Sequence, residues 1–142
     1  MLGVSQYSQD YVDATRARVH EQLAAYRALA GGDCDAAALD AFAPQFFDHM
    51  VLALDACFVH RLRNKELKDG NPLNEVRLLA SSIMTNDGVL AADKQIKLKP
   101  ETSVLGYAPG DRIALDADAF ERLAEAFLAD IERKYVEVSA PA

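Results

Sequence analysis

The sequence predicts a mainly α chain: a helical bundle of about four helices with a small β hairpin-like element near residues 95–115. Three observations carry this. Apolar residues recur at three- and four-residue steps over residues 8–30, 72–85 and 117–137, the period of helices with one buried face. Residues 44–64 are apolar on nearly every side, with Asp55 the one charge between Met50 and Val59, and a helix of that kind is expected to be buried. Residues 95–99 alternate polar and apolar, as a half-buried strand does. At 142 residues, the chain 1–142 reads as a single domain with an ordinary core.

Each element has its own local signals. The first helix is expected from Ser8, a capping residue, to Gly31-Gly32, which would supply a left-handed C-terminal turn. Its stripe is Tyr11, Thr15, Val19, Leu23 and Tyr26. Asp33 or Asp35 then opens a short Ala-rich turn or helix to Phe42, and Pro44 suits the first position of a separate central helix ending near Asn64 to Leu67. Asn71 and Pro72 restart a helix as cap and first residue, with Leu73, Val76, Leu79, Ala80 and Ile83 inward, and residues 85–88 stop it. Pro100 closes the first strand, and residues 112–115 form the second. Asp116 caps the last helix, residues 117–137, with Leu115 and Phe120 placed as a hydrophobic staple. Phe120, Leu123, Phe127, Ile131 and Tyr135 mark its core face, and residues 139–142 are expected to fray.

Composition excludes some functions. The net charge of -7 argues against a broad nucleic-acid surface, which draws on clustered Lys and Arg. No run reaches the ~18–20 apolar residues of a membrane span. The polar N-terminus has no signal-peptide pattern, so a cytoplasmic location is the expectation. Cys34 and Cys57 sit in unlike settings, which suggests neither a disulfide framework nor a metal site. Charge is unevenly placed: residues 58–100 hold eight basic and five acidic residues, whereas residues 1–57 hold three and eight. That middle excess suggests either neutralisation across the bundle or a local anion site.

The candidate chemistry lies between residues 48 and 77. His49 and His60 stand eleven residues apart and would share one face of the central helix, with Ala53 and Ala56 leaving a groove between them. The bland reading is close helix packing; the sharper one is a ligand or haem slot. Asp55, among apolar neighbours, must find donors or take up a proton. Arg16, Arg18, Arg77, Tyr11 and Tyr26 are its candidate partners, and a buried pair predicts a loss of a few kcal/mol in Asp55→Ala. Alternatively Asp55 is a general base with a raised pKa, His60 beside it. Arg61, Arg63, Asn71, Asn74 and Arg77 surround a turn and a helix N-terminus, the setting of a small-anion site. No Glu-x-x-His or His-Glu-x-x-His spacing is present, so no metal ligand set is predicted. No serine elbow, P-loop or dinucleotide fingerprint occurs either.

The residues name no substrate and no cofactor. The leading reading is non-catalytic: a small-molecule-binding or protein-interaction module, expected as a homo-oligomer because three helices carry much large apolar surface. The ligand-binding candidates are His49, His60, Arg61, Arg63, Asn71, Asn74 and Arg77. The alternatives are an acid/base enzyme using Asp55 and His60 on a small anionic substrate, and a haem- or metal-binding bundle using His20, His49 or His60.

Overall fold

The computed structural model describes residues 3–137. Five helices follow in order: α1 Gln9–Ala30, α2 Ala36–Cys57, α3 Arg63–Glu66, α4 Pro72–Thr85 and α5 Ala117–Tyr135. None is long and apolar enough to cross a membrane. The most amphipathic helix, α5, lies at the centre, where α1, α2 and α4 pack against it. Its stripe Phe120, Leu123, Phe127, Ile131 and Tyr135 is buried throughout. The caps form as their sequence signals require. Ser8, Asn71 and Asp116 accept from the backbone N–H groups of Tyr11, Asn74 and Ala119.

Three expectations are corrected. First, α2 starts at Ala36 under an Asp35 cap that accepts from Ala37 and Ala38, so Pro44 lies inside the helix, not at its first position. Proline removes one ladder bond there; Asp40, whose carbonyl would have received it, is exposed, so water can take its place. Second, the central helix ends at Cys57, well short of Asn64. It is also not buried all round: Phe47, Val51 and Leu54 are covered, whereas Ala53 and Ala56 are exposed and Phe42 is 47% exposed. The bundle covers one side of α2 and leaves the other open. Third, Gly31 ends α1 in the right-handed region, with φ -85°, its N–H bonded to the Arg27 carbonyl. The α1 stripe itself is shifted slightly, with Val12 buried and Tyr11 38% exposed.

The β hairpin-like element is absent from the described residues. The alternation at residues 95–99 is real, since Ile96 is buried and Leu98 half-buried between exposed polar neighbours. Its backbone finds no strand partner; Lys97 N–H donates to the Lys68 carbonyl at 3.0 Å. The second expected strand pairs elsewhere: Arg112 bridges Val89, and Leu90 and Ile113 N–H donate to the Asp111 and Gly88 carbonyls. Gly70 makes the first approach feasible. Its φ is +87°, and a Cβ there would sit 2.4 Å from the Lys97 carbonyl oxygen.

Glu75, on α4 and 2% exposed, holds the intervening loop. Its two carboxylate oxygens accept from Val104 N–H at 2.8 Å and Leu105 N–H at 2.9 Å. Burial raises its pKa, with the two N–H groups opposing. Hydrogen bonds to a charged acceptor contribute about 1.5–3 kcal/mol, so Glu75→Ala is expected to speed amide exchange of Val104 and Leu105 by at least about tenfold. Unchanged exchange at those two amides would show that the loop is held by other contacts.

Candidate functional site

The chain leaves α2 through Phe58, whose φ of -130° breaks the helix, and Arg61 turns inward to lie fully buried. A buried guanidinium requires acceptors at its donors. Arg61 Nε donates to Glu66 Oε1 at 2.8 Å, Nη1 to the Phe58 carbonyl at 3.0 Å and Nη2 to the Leu73 carbonyl at 3.2 Å. Glu66, 1% exposed, is the hub. Arg77 meets both of its oxygens, at 2.6 and 3.1 Å, and Asn74 Nδ2 donates to Oε2 at 2.8 Å. The Glu66 backbone carbonyl accepts from Asn71 and from Lys134. Burial pushes the Glu66 carboxyl up, but Arg77, Arg61 and Asn74 together outweigh it and hold the pKa below its ordinary value.

This cluster gathers much of the anion site expected from sequence, around the protein's own carboxylate. Arg61, Asn74 and Arg77 meet at Glu66. Asn71 caps α4, and Arg63 lies 55% exposed at the edge, 4.0 Å from Glu66. Leu67, whose carbonyl accepts from Asn74, is held at φ +68°, a left-handed conformation that a branched residue adopts only under constraint. Asp55 reaches Arg61 at 3.5 Å and keeps 17% of its side chain in water. Its partner is therefore Arg61, with Arg77 further off. Burial raises the Asp55 pKa against the pull of both arginines.

The histidines do not converge. His49 is on the exposed side of α2, and His60 lies beyond the helix end, also exposed, so the shared face and the slot between them do not form. His20 pairs with Glu125 on α5 at 2.7 Å, away from both. Among the described residues no three His, Cys, Asp or Glu side chains are grouped as a metal site. Asp48 Oδ1 is buried without a hydrogen-bond partner among the described residues, and burial raises that carboxyl.

Sequence reasoning missed two buried carboxylates besides Glu75. Glu66 falls where the central helix is expected to end, and its burial depends on α4 and α5 closing over it. Asp130, 1% exposed, sits under Arg133 and Lys134 on α5, and its only signal was the spacing of three and four residues to those cations.

The exposed side of α2 forms a second feature. α1 packs chiefly on α5, and the gap between α1 and α2 is an apolar groove. One hollow of about 300 Å³ is lined by Thr15, Arg18, Val19, Gln22, Met50, Ala53, Leu54 and Cys57. A second, about 170 Å³, continues from Gln22 over Tyr26 and Phe46 to Leu29 and Phe42. A third, about 200 Å³, runs from Leu29 and Phe42 to Cys34 and Asp35. The aromatic floor is ordered: Tyr26 stacks on Phe46 at 5.8 Å and Phe42 on Phe46 at 5.4 Å. Comparison with family models, curated proteins and solved structures finds no match to this chain.

Proposed function

We propose that this chain is a protein-interaction module whose contact face is the α1–α2 groove. The observation that carries this reading is the continuity of the groove. The first two hollows share Gln22, the second and third share Leu29 and Phe42, and together they follow α1 from Thr15 to Leu29. Fourteen residues of helix rise about 21 Å, so the trough matches roughly four turns of a docked helix rather than one compact ligand. Its residues recur at helical spacing on both walls, and its aromatics are the type enriched at interface centres. Contiguous exposed apolar surface of this kind marks a contact site more often than a free surface. In this reading the Glu66 cluster is a structural clamp: its cations already hold a buried carboxylate and are not available to an external anion.

A photo-reactive side chain at position 53, in the wall of the first hollow, tests the reading, with position 122 on the exposed side of α5 as control. The expected result is a discrete adduct at 53 only, identified by mass spectrometry. Its purified partner should bind the wild-type chain and lose binding to Ala53→Trp. Equal yields of adduct at 53 and 122 would remove the groove as the contact face.

A further inference from the structure

We infer that the occupant of the groove is a second copy of this chain, its α1–α2 pair running antiparallel to the first about a twofold axis. This rests on the groove being a contact face, and it follows from how the two ends of the groove differ. At one end lies the hollow of about 300 Å³, walled by Val19, Met50, Ala53 and Leu54. At the other, Leu29 and Phe42 stand out, 52% and 47% exposed. An apolar cavity of about 150 Å³ accepts benzene, so the larger hollow has room for a phenyl ring. A twofold axis near Gln22 and Phe46 exchanges the ends and brings each Phe42 to the other copy's hollow.

Charge points the same way. Arg18 is the one charged side chain lining that hollow, and among the described residues no carboxylate lies within ion-pair distance of it; its nearest polar partner is Thr15 Oγ1 at 3.5 Å. The opposite end carries Asp33, Asp35 and Asp40, with no basic residue in 33–40. The same exchange sets each Arg18 against the other copy's acidic end. Copies of a chain with net charge -7 repel one another over most of their surface. The groove adds little to that repulsion, since Arg18 and Asp35 are its only charged lining residues, of opposite sign. A head-to-tail contact would leave a hollow open on one copy and propagate, whereas the twofold arrangement fills both and closes.

Sedimentation velocity on the full chain, up to about 100 µM, tests this. The expected result is a dimer that weakens at least about tenfold in each of three variants with unchanged helical circular dichroism: Phe42→Glu, which removes the knob, Ala53→Trp, which fills the hollow, and Arg18→Glu, which reverses the charge. A wild-type monomer at every concentration overturns the pairing; the cross-link from position 53 then decides the groove on its own. A dimer indifferent to all three substitutions has its contact elsewhere and also overturns the proposal. A dimer sensitive to Phe42→Glu and Ala53→Trp but not to Arg18→Glu overturns the antiparallel order.

Discussion

Replacing Glu66 with alanine is expected to destabilise the fold by about 3–5 kcal/mol, the range for removing one partner of a buried ion pair. The loss arises less from the missing attraction than from what is left behind. Arg61 is fully buried, and without Glu66 its Nε has no acceptor in reach, while its charge keeps only Asp55 at 3.5 Å. Arg77 and Asn74 lose the same carboxylate, and the Leu67 turn loses the fixed Asn74 side chain that holds it. Asp55→Ala serves as the contrast. Arg61 keeps Glu66 and two backbone carbonyls there, and the desolvation of Asp55 offsets its long contact, so the cost should be at most about 1 kcal/mol. That is less than the few kcal/mol a fully buried Asp55 pair would give. The pH dependence follows from the sign of each shift. Glu66 has a folded pKa below its usual value of 4.5, so its stabilisation is present above that pH and disappears as pH falls through the lower folded value. Asp55 is displaced upward from 3.8, so its contribution has the opposite sign: acidification relieves it. Urea denaturation of both variants at neutral pH and near pH 4 separates the two. A Glu66→Ala loss no larger than that of Asp55→Ala would show that Glu66 is not the hub.

What the sequence made legible was whatever local rules decide. Ser8, Asn71 and Asp116 cap helices because a short polar side chain reaches the next free N–H groups, and no distant contact is required. The α5 stripe was legible because a single 3.6-residue period ran without interruption. The start of α2 was ambiguous because Asp35 and Pro44 are both start signals; the helix begins at the first and tolerates the one ladder bond the proline removes. Its end was misread for a different reason. Phe58, Val59 and His60 look as helical as their neighbours, and the break comes from burying Arg61 against α3 and α4, which is a tertiary preference. Glu66 was invisible for the same reason: besides Arg61 five positions before it, its partners Asn74 and Arg77 lie eight and eleven positions onward on another helix. The groove was half legible. Excess apolar surface on the first two helices was apparent, but burial on all sides was the inference drawn for α2, because periodicity cannot tell a covered face from an open one.

Phe127→Ala is expected to cost about 3–5 kcal/mol, and the reason it sits at the upper end of core substitutions is its position between two kinds of core. The ring is fully buried, its centroid 5.7 Å from that of Phe58. The Arg61 guanidinium also lies over the ring, 5.5 Å from its centroid. A cation over an aromatic face gains about 0.5–2 kcal/mol, more when dry, so Phe127 supports the charge that Glu66 neutralises. Truncation therefore leaves a cavity in the α5 stripe and removes one of the few favourable surroundings a buried guanidinium has. Phe127→Leu separates the parts, because it refills most of the volume and loses the ring. Its cost should be about half that of the alanine variant, set by shape and by the lost cation contact. The decisive quantity is the coupling. If the apolar core and the Glu66 cluster are one cooperative unit, the double variant Phe127→Leu with Glu66→Ala should depart from additivity by about 0.5–3 kcal/mol, as residues coupled through a shared partner do, here Arg61. Additive losses would mean that the ring packs beside Arg61 without holding it, and that the cluster stands on its hydrogen bonds alone.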